Sequence, residues 1–448
     1  MKQNLNKILL LLALFSGTIA KAQTETAEPD TLRGTVARLA SDLDVLKRIK
    51  VSGYIQAQFQ YADSSGQPSY AGGNFASGVD KRFILRRARL KVQYDGTVID
   101  KGWSLSQYVF QVDVTEKGVV IKDMYAKLTD PWCGWTSLTV GMQNRPFGYE
   151  ISYSSSLRES PERGRMSQII FPNERDLGAM VSIQGPKLSR WNWIKLDAGM
   201  FNGTGGPSQA GSSSTAVSNT SDFDKYKDFI GHLSINRSAM DERIKYGLGG
   251  SYYDGGFASD TAFVYTPGLA NDSTSGFVKS KDKNKKGTEE KRKYVGGDAQ
   301  FSIDWAPGIT TLRGEYIQGD QPGTGKTTTS PATFYAAGDG IYRRKFNGAY
   351  FYFLQNILNT PLQAVVKYDW YDPNTDLAGD QIGKAGSNTG ASDIKYTTLG
   401  YGLIYHWDTN LKIVLYYDMV TNEKSANLKG YNNDLKDNVI TARVQVRF

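Results

Sequence analysis

A row of positively charged side chains is the feature of this sequence best suited to binding a solute. Arg87, Arg89 and Lys91 occupy every second position of one segment, and apolar residues fill the positions between them. Residues two apart in a β-strand share a face, so the three cations stand side by side. Like charges at this spacing repel each other unless an anion lies among them. The row predicts an anion-binding wall; the alternative is that acidic side chains simply pair with these cations.

Further cations share the face of this row when the same alternation is followed along the chain. Twelve cations and eight carboxylates fall on that face, and Lys127, Arg145 and Arg313 are among the cations. An excess of Arg and Lys in a narrow pore concentrates anions and selects for them. The pattern therefore predicts an anion-preferring channel, provided that the face lines a wet lumen.

The segment from Pro146 to Asp176 combines cations with more apolar residues than a solvated loop would keep. Its cations are Arg158, Arg163, Arg165 and Arg175. A loop that folds back onto the inner wall of a barrel needs an apolar underside, and it can hold cations at the narrowest point. We expect such an inward-folded loop; apolar packing without a role in selectivity is the alternative.

Chemistry other than ion binding has little support in the sequence. The two histidines, His232 and His406, are far apart, and no Cys/His metal spacing, P-loop or G-x-S-x-G motif occurs. The only cysteine, Cys133, cannot form a disulfide within the chain. We therefore predict no enzyme, no metal and no cofactor, and we expect no nucleic-acid partner.

The elements that must carry these side chains are recognisable from the end of the chain. From Ile440 to Phe448 apolar and polar residues alternate strictly, and the last residue is aromatic. This is typical of the closing strand of an outer-membrane β-barrel, whose apolar row meets lipid and whose polar row meets a wet lumen. A secreted β-sandwich is the alternative, but it would not explain apolar rows on so many strands.

The N-terminus predicts export from the cytoplasm. Two lysines, an apolar run and the sequence Ala20-Lys21-Ala22 form a secretory signal peptide over residues 1–22. The mean hydropathy is −0.44 and no later run has the ~20 apolar residues of a spanning helix. Only a closed barrel can then cross a membrane, because lipid tolerates no unpaired backbone. We therefore expect the protein in the bacterial outer membrane.

Residues 23–50 form a separate segment before the first strand. Leu32, Val36, Leu39, Leu43 and Leu46 follow the heptad spacing of a coiled coil. We expect a short periplasmic helix, which either joins three barrels through a coiled coil or packs on the rim of its own barrel. Residues 51–448 then form the barrel domain.

Sixteen two-sided strands can be placed in residues 51–448. They fall near 51–61, 82–95, 103–115, 118–129, 135–145, 177–185, 193–202, 227–237, 243–254, 292–305, 309–319, 344–356, 361–371, 394–407, 411–421 and 437–448. Apart from a short link around Glu116-Lys117, the connections alternate between long and short, as extracellular loops and periplasmic turns do. About sixteen strands leave an aqueous channel, whereas about eight are filled by their own side chains. The prediction is an all-β fold, a transmembrane antiparallel β-barrel with a pore.

The sequence resembles the phosphate-selective porins O and P over about residues 51–448. The matching runs are FILRRARL from Phe83, DMYAKL from Asp123, GMQNRPFG from Gly141, ERDLG from Glu174 and YDWYDP from Tyr368. The resemblance implies a trimer of 16-stranded barrels, each with its third loop folded inward. It also implies that basic residues guide phosphate or other anions, with Arg87, Arg89, Arg145 and Arg175 as wall or constriction cations.

The expected function is a passive, anion-preferring outer-membrane porin. A general or oligosaccharide-conducting porin is one alternative, because inward tyrosines such as Tyr54, Tyr125 and Tyr253 could stack on sugars. A non-conducting scaffold or adhesin is the other.

The expected partners are small anions such as phosphate, outer-membrane lipid, lipopolysaccharide and further copies of the chain in a homotrimer. A lysine-rich run between residues 279 and 293 is expected at the cell surface. There it attracts anions to the mouth, binds lipopolysaccharide phosphates or is merely solvated.

Overall fold

The computed structural model describes residues 32–100, 102–204, 222, 224–259, 261, 263–270, 274–281, 285–329 and 340–448. The predicted signal peptide and part of the lysine-rich run lie outside the described residues. The chain divides into a unit that ends at Arg48 and a unit that begins at Ile49. Within the described ranges, no helix is long and apolar enough to cross a membrane.

The first unit contains the short N-terminal helix that the heptad spacing predicts. This helix, α1, spans Leu32–Lys47. Its last turns include an ion pair between Arg48 and Asp44, four residues apart and 3.8 Å from nitrogen to oxygen. The Asp44 side chain is 69% exposed and the Arg48 side chain 35% exposed, so water screens the pair and it contributes little to the stability of the helix.

The described residues of the second unit form eighteen strands, sixteen of which make up the barrel. The strands are β1 (Ile49–Ala62), β2 (Lys81–Asp95), β3 (Ser106–Thr115), β4 (Gly118–Thr129), β5 (Thr136–Asn144), β6 (Arg175–Gln184), β7 (Ile194–Phe201), β8 (Asp228–Ala239), β9 (Ile244–Ala258), β10 (Val264–Ala270), β11 (Thr274–Lys279), β12 (Glu289–Trp305), β13 (Gly308–Gly323), β14 (Ile341–Asn356), β15 (Leu362–Asp372), β16 (Tyr396–His406), β17 (Leu411–Asn422) and β18 (Val439–Arg447). The predicted 16-stranded antiparallel barrel is confirmed.

The barrel closes where the last strand meets the first. β18 pairs antiparallel with β1 in a register that places Val444 opposite Ala57. The Phe448 N–H then donates to the Gly53 carbonyl at 3.0 Å. β9 pairs directly with β12, so β10 and β11 are not barrel strands. They form a hairpin in the long connection, which the sequence pattern did not predict.

Strict alternation separates the two faces of the barrel, and the last strand shows it well. Thr441, Arg443 and Gln445 are at most 3% exposed, whereas Val444 and Val446 are 45% and 40% exposed. The polar row therefore points inward and the apolar row outward, which is the reverse of a soluble protein. This is the arrangement that the alternation in the sequence predicts.

An aromatic cluster fills one side of the barrel interior. Phe147 and Phe171, from the connection after β5, pack with ring centroids 5.2 Å apart. Tyr253 of β9 and Tyr294 of β12 stack at 4.7 Å and join the same buried cluster. The connection after β5 is thus anchored on the β9–β15 side, and its other contacts leave open space beside β2–β7.

Candidate anion pathway

The connection between β5 and β6, here called the inward loop (residues 145–174), crosses the lumen. Wall side chains donate to its backbone carbonyls at four places between residues 155 and 161. These are Gln56 to Ser155 at 2.9 Å, Gln445 to Ser156 at 2.7 Å, Lys412 to Arg158 at 2.9 Å and Arg443 to Pro161 at 2.8 Å. Because these donors come from β1, β17 and β18, the loop is also fixed to the wall where the barrel closes.

The base of the inward loop is held by a buried carboxylate. Glu315 of β13 accepts hydrogen bonds from the backbone N–H groups of Tyr149 and Glu150, at 3.1 and 3.0 Å. Gly148 has φ +58°, and a Cβ there would overlap the Glu315 carboxylate. Glycine is therefore required at this position both for its backbone conformation and for the close approach of Glu315.

The apolar underside expected for this loop is present. A short helix, α2 (Arg165–Ile170), buries Met166, Ile169 and Ile170 against the aromatic cluster. Arg145, at the start of the loop, also packs on this cluster, over the Phe171 ring. The loop thus combines apolar packing with cations in one segment.

Glu162 is the centre of one group of charges between the loop and the wall. Its carboxylate lies 2.8 Å from Arg86 Nε, 2.7 Å from Arg87 Nη2 and 3.1 Å from Arg443 Nη2. Burial alone would raise the pKa of the Glu162 carboxyl, but these arginines hold it well below its usual range. Glu162 therefore stays ionised and joins β2, β18 and the loop.

Glu174 is the centre of a second group, here called the arginine clamp (Arg89, Arg163 and Arg175 around Glu174). Glu174 lies 3.6 Å from Arg89 and 3.2 Å from Arg163, and it also contacts Arg175. Asp113 and Asp123 each pair with one clamp arginine at 3.0 Å. Burial alone would raise the pKa of the Glu174 carboxyl, but Arg163 and Arg175 hold it well below its usual range. The clamp therefore carries almost balanced charge.

Two β-bulges add lumen cations that strict alternation assigns to the outer face. The register of β1 and β2 skips Arg86, and that of β3 and β4 skips Lys122. A bulge inserts one residue and turns its neighbours, so two successive side chains can face the same side. A lysine on the lipid face costs about 2–4 kcal/mol at the membrane midplane. The charge of Lys122 within an apolar run was thus the one sequence signal that could have revealed this bulge.

Two cavities lie between the inward loop and strands β2–β7. The outer cavity has a volume of 540 Å³, and six cations and three carboxylates line it: Arg86, Arg87, Arg89, Lys117, Lys122, Arg163, Asp113, Glu162 and Glu174. The inner cavity has a volume of 360 Å³, and six cations and one carboxylate line it: Arg89, Lys91, Lys127, Arg163, Arg175, Lys195 and Asp123. Both cavities share Arg89 and Arg163, so the clamp lies where they meet.

The lysines of these cavities are less compensated than the arginines. Within the described residues, Lys91 and Lys122 form no ion pair and no hydrogen bond. Lys127 lies over the Trp103 ring at 5.9 Å. Lys195, in contrast, pairs with Asp197 at 2.7 Å. Among the described residues, the positive charge without an ion-pair partner therefore sits on Lys117 and Lys122 outside the clamp and on Lys91 and Lys127 inside it.

Four of the cations that the sequence analysis singled out line neither cavity. Arg145 is buried, donates to the Asn173 carbonyl and lies over Phe171. Arg165 lies between the rings of Tyr70 and Tyr396, at 4.5 and 3.7 Å. These two side chains hold the loop in place, and Arg165 also borders a separate small cavity.

Arg313 and Arg158 are the other two cations outside the cavities. Arg313 pairs with Glu159 and contacts the Tyr153 ring at 4.5 Å. Arg158 is 3% exposed, and no nitrogen of its guanidinium has a hydrogen-bond partner among the described residues. Burial, together with Arg163 and Arg87, lowers the pKa of Arg158 to about 10.

The three tyrosines considered for sugar stacking are not equivalent. Tyr125 lines the inner cavity. Tyr54 also borders it, but its hydroxyl is 2.5 Å from Ser155 Oγ in the loop. Tyr253 is completely buried in the aromatic cluster. The described residues also contain no group of three or more His, Cys, Asp or Glu side chains that could hold a metal ion.

The chain is similar to known porins in both sequence family and fold. The family described as phosphate-selective porin O and P matches residues 49–448. Among solved structures, an anion-selective porin from Comamonas acidovorans is similar at 10% identity, with a TM-score of 0.51 and coverage of 89% of this chain and 99% of that chain. The outer membrane channel DcaP of Acinetobacter baumannii is similar at 12% identity, with a TM-score of 0.52 and coverage of 89% and 97%. No curated protein matches the chain.

Proposed function

This chain belongs to the phosphate-selective porin O and P family, and from that premise we propose that its pore prefers anions to cations. Family and fold make it an outer-membrane diffusion channel, and porins are channels rather than enzymes. The anion preference rests on the charges beside the inward loop. The similar structure from Comamonas acidovorans is described as anion-selective, which agrees with this proposal.

The observation that carries the proposal is the charge of the two cavities. The outer cavity has three more cations than carboxylates on its lining, and the inner cavity has five more. A low-dielectric wall focuses the field of such an excess into the space that a solute must cross. Anions are therefore concentrated on both sides of the arginine clamp, and cations are repelled from it.

The clamp and the lysines have different tasks in this proposal. Arg89, Arg163 and Arg175 already share Glu174, Asp113 and Asp123, so they hold the loop at a fixed distance from the wall. Lys122, Lys91 and Lys127 supply the net positive charge along the path. A hydrated ammonium is a point charge on a flexible stem, so it can attract an anion and release it again.

Phosphate as the favoured anion, a homotrimeric assembly and removal of residues 1–22 by signal cleavage are further parts of the proposal. The first two follow from the family resemblance, and the third follows from the signal-like N-terminus. Lipopolysaccharide remains the proposed partner of the lysine-rich outer run. The described lysines of this run are Lys279, Lys281, Lys285, Lys286, Lys291 and Lys293. A sugar-conducting channel has weaker support, because only Tyr125 of the three tyrosines keeps a free face on a cavity.

The reversal potential of the purified protein in a planar bilayer tests the proposal. Under a KCl gradient we expect a potential of the sign given by chloride permeation, and added phosphate should reduce the chloride current. A potential of the opposite sign would refute anion preference. Absence of any conductance would favour the scaffold, and block by sugars without block by phosphate would favour the sugar channel.

A further inference from the structure

Helix α1 carries an exposed apolar stripe. Val36, Leu39, Leu43 and Leu46 lie at spacings of three, four and three residues and are 55%, 56%, 53% and 61% exposed. This is the a/d repeat of a left-handed coiled coil, with Val36 and Leu43 at a and Leu39 and Leu46 at d. A single helix of 16 residues is marginal in water unless such a stripe is packed against a partner.

Two charged residues flank the stripe in a complementary arrangement. In this heptad frame Asp42 occupies position g and Lys47 occupies position e of the next heptad. In a parallel coiled coil, a g residue faces the following e residue of the neighbouring helix. Asp42 of one copy therefore meets Lys47 of a second copy. Neither residue forms an ion pair within the described part of its own chain, where Asp44 and Arg48 pair with each other instead.

We propose that α1 assembles with α1 of other copies of this chain into a parallel coiled coil. The charge pattern favours a second copy of α1, in parallel orientation, as the partner of the stripe. In an antiparallel pair, g residues face g residues and e residues face e residues, so Asp42 would meet Asp42 and Lys47 would meet Lys47. The helix lies before residue 49, where the family match begins, so it is an addition to the shared barrel. The proposal rests on the homotrimeric assembly proposed above and names the segment that joins the copies, and it is independent of anion preference.

Single cysteines in the full-length protein test this arrangement in outer-membrane preparations. Cys133 is free and exposed, so a Cys133→Ser background is needed. In that background, Leu46→Cys at position d should give a disulfide-linked dimer on mild oxidation, because d residues of parallel helices lie within disulfide distance. Ser41→Cys, at position f on the opposite face, is the matched control and should give several-fold less. Heat-modifiable migration in gels shows that the barrel of each variant is folded.

Equal cross-linking of both variants would refute the proposal, since it would indicate random collision. Absence of cross-linking from Leu46→Cys in a folded barrel would also refute it, and would favour packing of α1 on its own barrel. Charge reversal provides the second measurement. Asp42→Lys should reduce the yield of the Leu46→Cys dimer, and the further change Lys47→Asp should restore it. Failure of the second change to restore the dimer would refute the parallel register.

Discussion

Arg87 Nη2 lies 2.7 Å from Glu162 Oε2, and this buried ion pair joins strand β2 to the loop that crosses the lumen. Arg87 belongs to the row of cations that the sequence offers as an anion-binding wall. Its guanidinium is already occupied by a carboxylate of the same chain, and Arg86 and Arg443 share that carboxylate. The pair therefore positions the loop, and its removal has consequences that can be measured.

Replacement of the shared carboxylate should destabilise the loop and raise anion preference together. Glu162→Gln leaves three guanidinium groups without their counter-charge, and loss of one partner of a buried pair costs about 3–5 kcal/mol. We expect a lower unfolding temperature of the barrel and a reversal potential closer to that of an ideal anion channel. Glu116→Gln, an exposed charge change in the β3–β4 turn, is the control. Equal behaviour of the two variants would show that Glu162 holds neither the loop nor the balance of charge.

The unpaired lysines should affect selectivity without affecting stability. Two unit charges about 7 Å apart in water interact with an energy of about 0.6 kcal/mol. This energy corresponds to roughly a two- to threefold change in relative permeability. We therefore expect Lys122→Gln, and separately Lys91→Gln, to reduce the chloride-to-potassium permeability ratio by about that factor. Unfolding should change by less than about 0.5 kcal/mol, as for other substitutions that remove no packing or pairing.

Lys429→Gln provides the matched control for these lysines, because Lys429 is exposed in the connection after β17. It removes the same charge far from the clamp in sequence and should leave the permeability ratio close to that of the unsubstituted protein. If Lys122→Gln and Lys91→Gln also left the ratio unchanged, the net charge of the cavities would not be the source of selectivity.

The barrel could be predicted from the sequence because its strands are repetitive. Alternation in β18 and its pairing with β1 follow from the period of a strand, and long and short connections follow from the two sides of a membrane. The hairpin of β10 and β11 could not be predicted in the same way. Pro267 and two glycines weaken its strand pattern, and its pairing depends on contacts outside the barrel wall.

The net charge of the pathway was harder to predict, because its ion pairs join residues that are far apart in the sequence. Alternation places Arg87 and Arg89 inside the barrel, but only the path of the inward loop brings Glu162 and Glu174 to them. The bulge at Lys122 is likewise set by the register of two strands. A sequence therefore predicts which side chains face the lumen better than it predicts which of them keep a free charge.

Acidification from pH 7 to pH 5 should leave the charge of the clamp unchanged. Burial alone would raise the pKa of the Glu174 carboxyl, but the arginines around it hold that pKa well below the usual range. A carboxyl with a lowered pKa contributes stability that is present above its unfolded pKa and lost only as the pH falls through the folded pKa. The clamp carboxylate should therefore stay ionised at pH 7, 6 and 5 and contribute the same charge to the pathway throughout this range.

Glu174→Gln mimics the protonated clamp and serves as the reference for this pH series. It should show a stronger anion preference than the unsubstituted protein at every pH, since it removes one negative charge beside Arg163 and Arg175. The difference in reversal potential between the two proteins should therefore be the same at pH 7, 6 and 5. Disappearance of this difference at pH 5 would show that the clamp carboxylate takes up a proton in this range.

The base of the inward loop offers the sharpest test of whether that loop limits the pore. Gly148→Ala places a methyl group at φ +58°, where it overlaps the Glu315 carboxylate that holds the Tyr149 and Glu150 amides. Gly78→Ala is the matched control, because Gly78 has φ +80° with nothing within 4 Å of the added carbon. Both changes cost about 1–2 kcal/mol of backbone strain, but only the first should raise single-channel conductance by releasing the loop.

Glu315→Asp should restore part of the original conductance in the Gly148→Ala protein, because a shorter carboxylate leaves room for the methyl group. Equal conductance of Gly148→Ala and Gly78→Ala would mean that the loop keeps its place without this anchor.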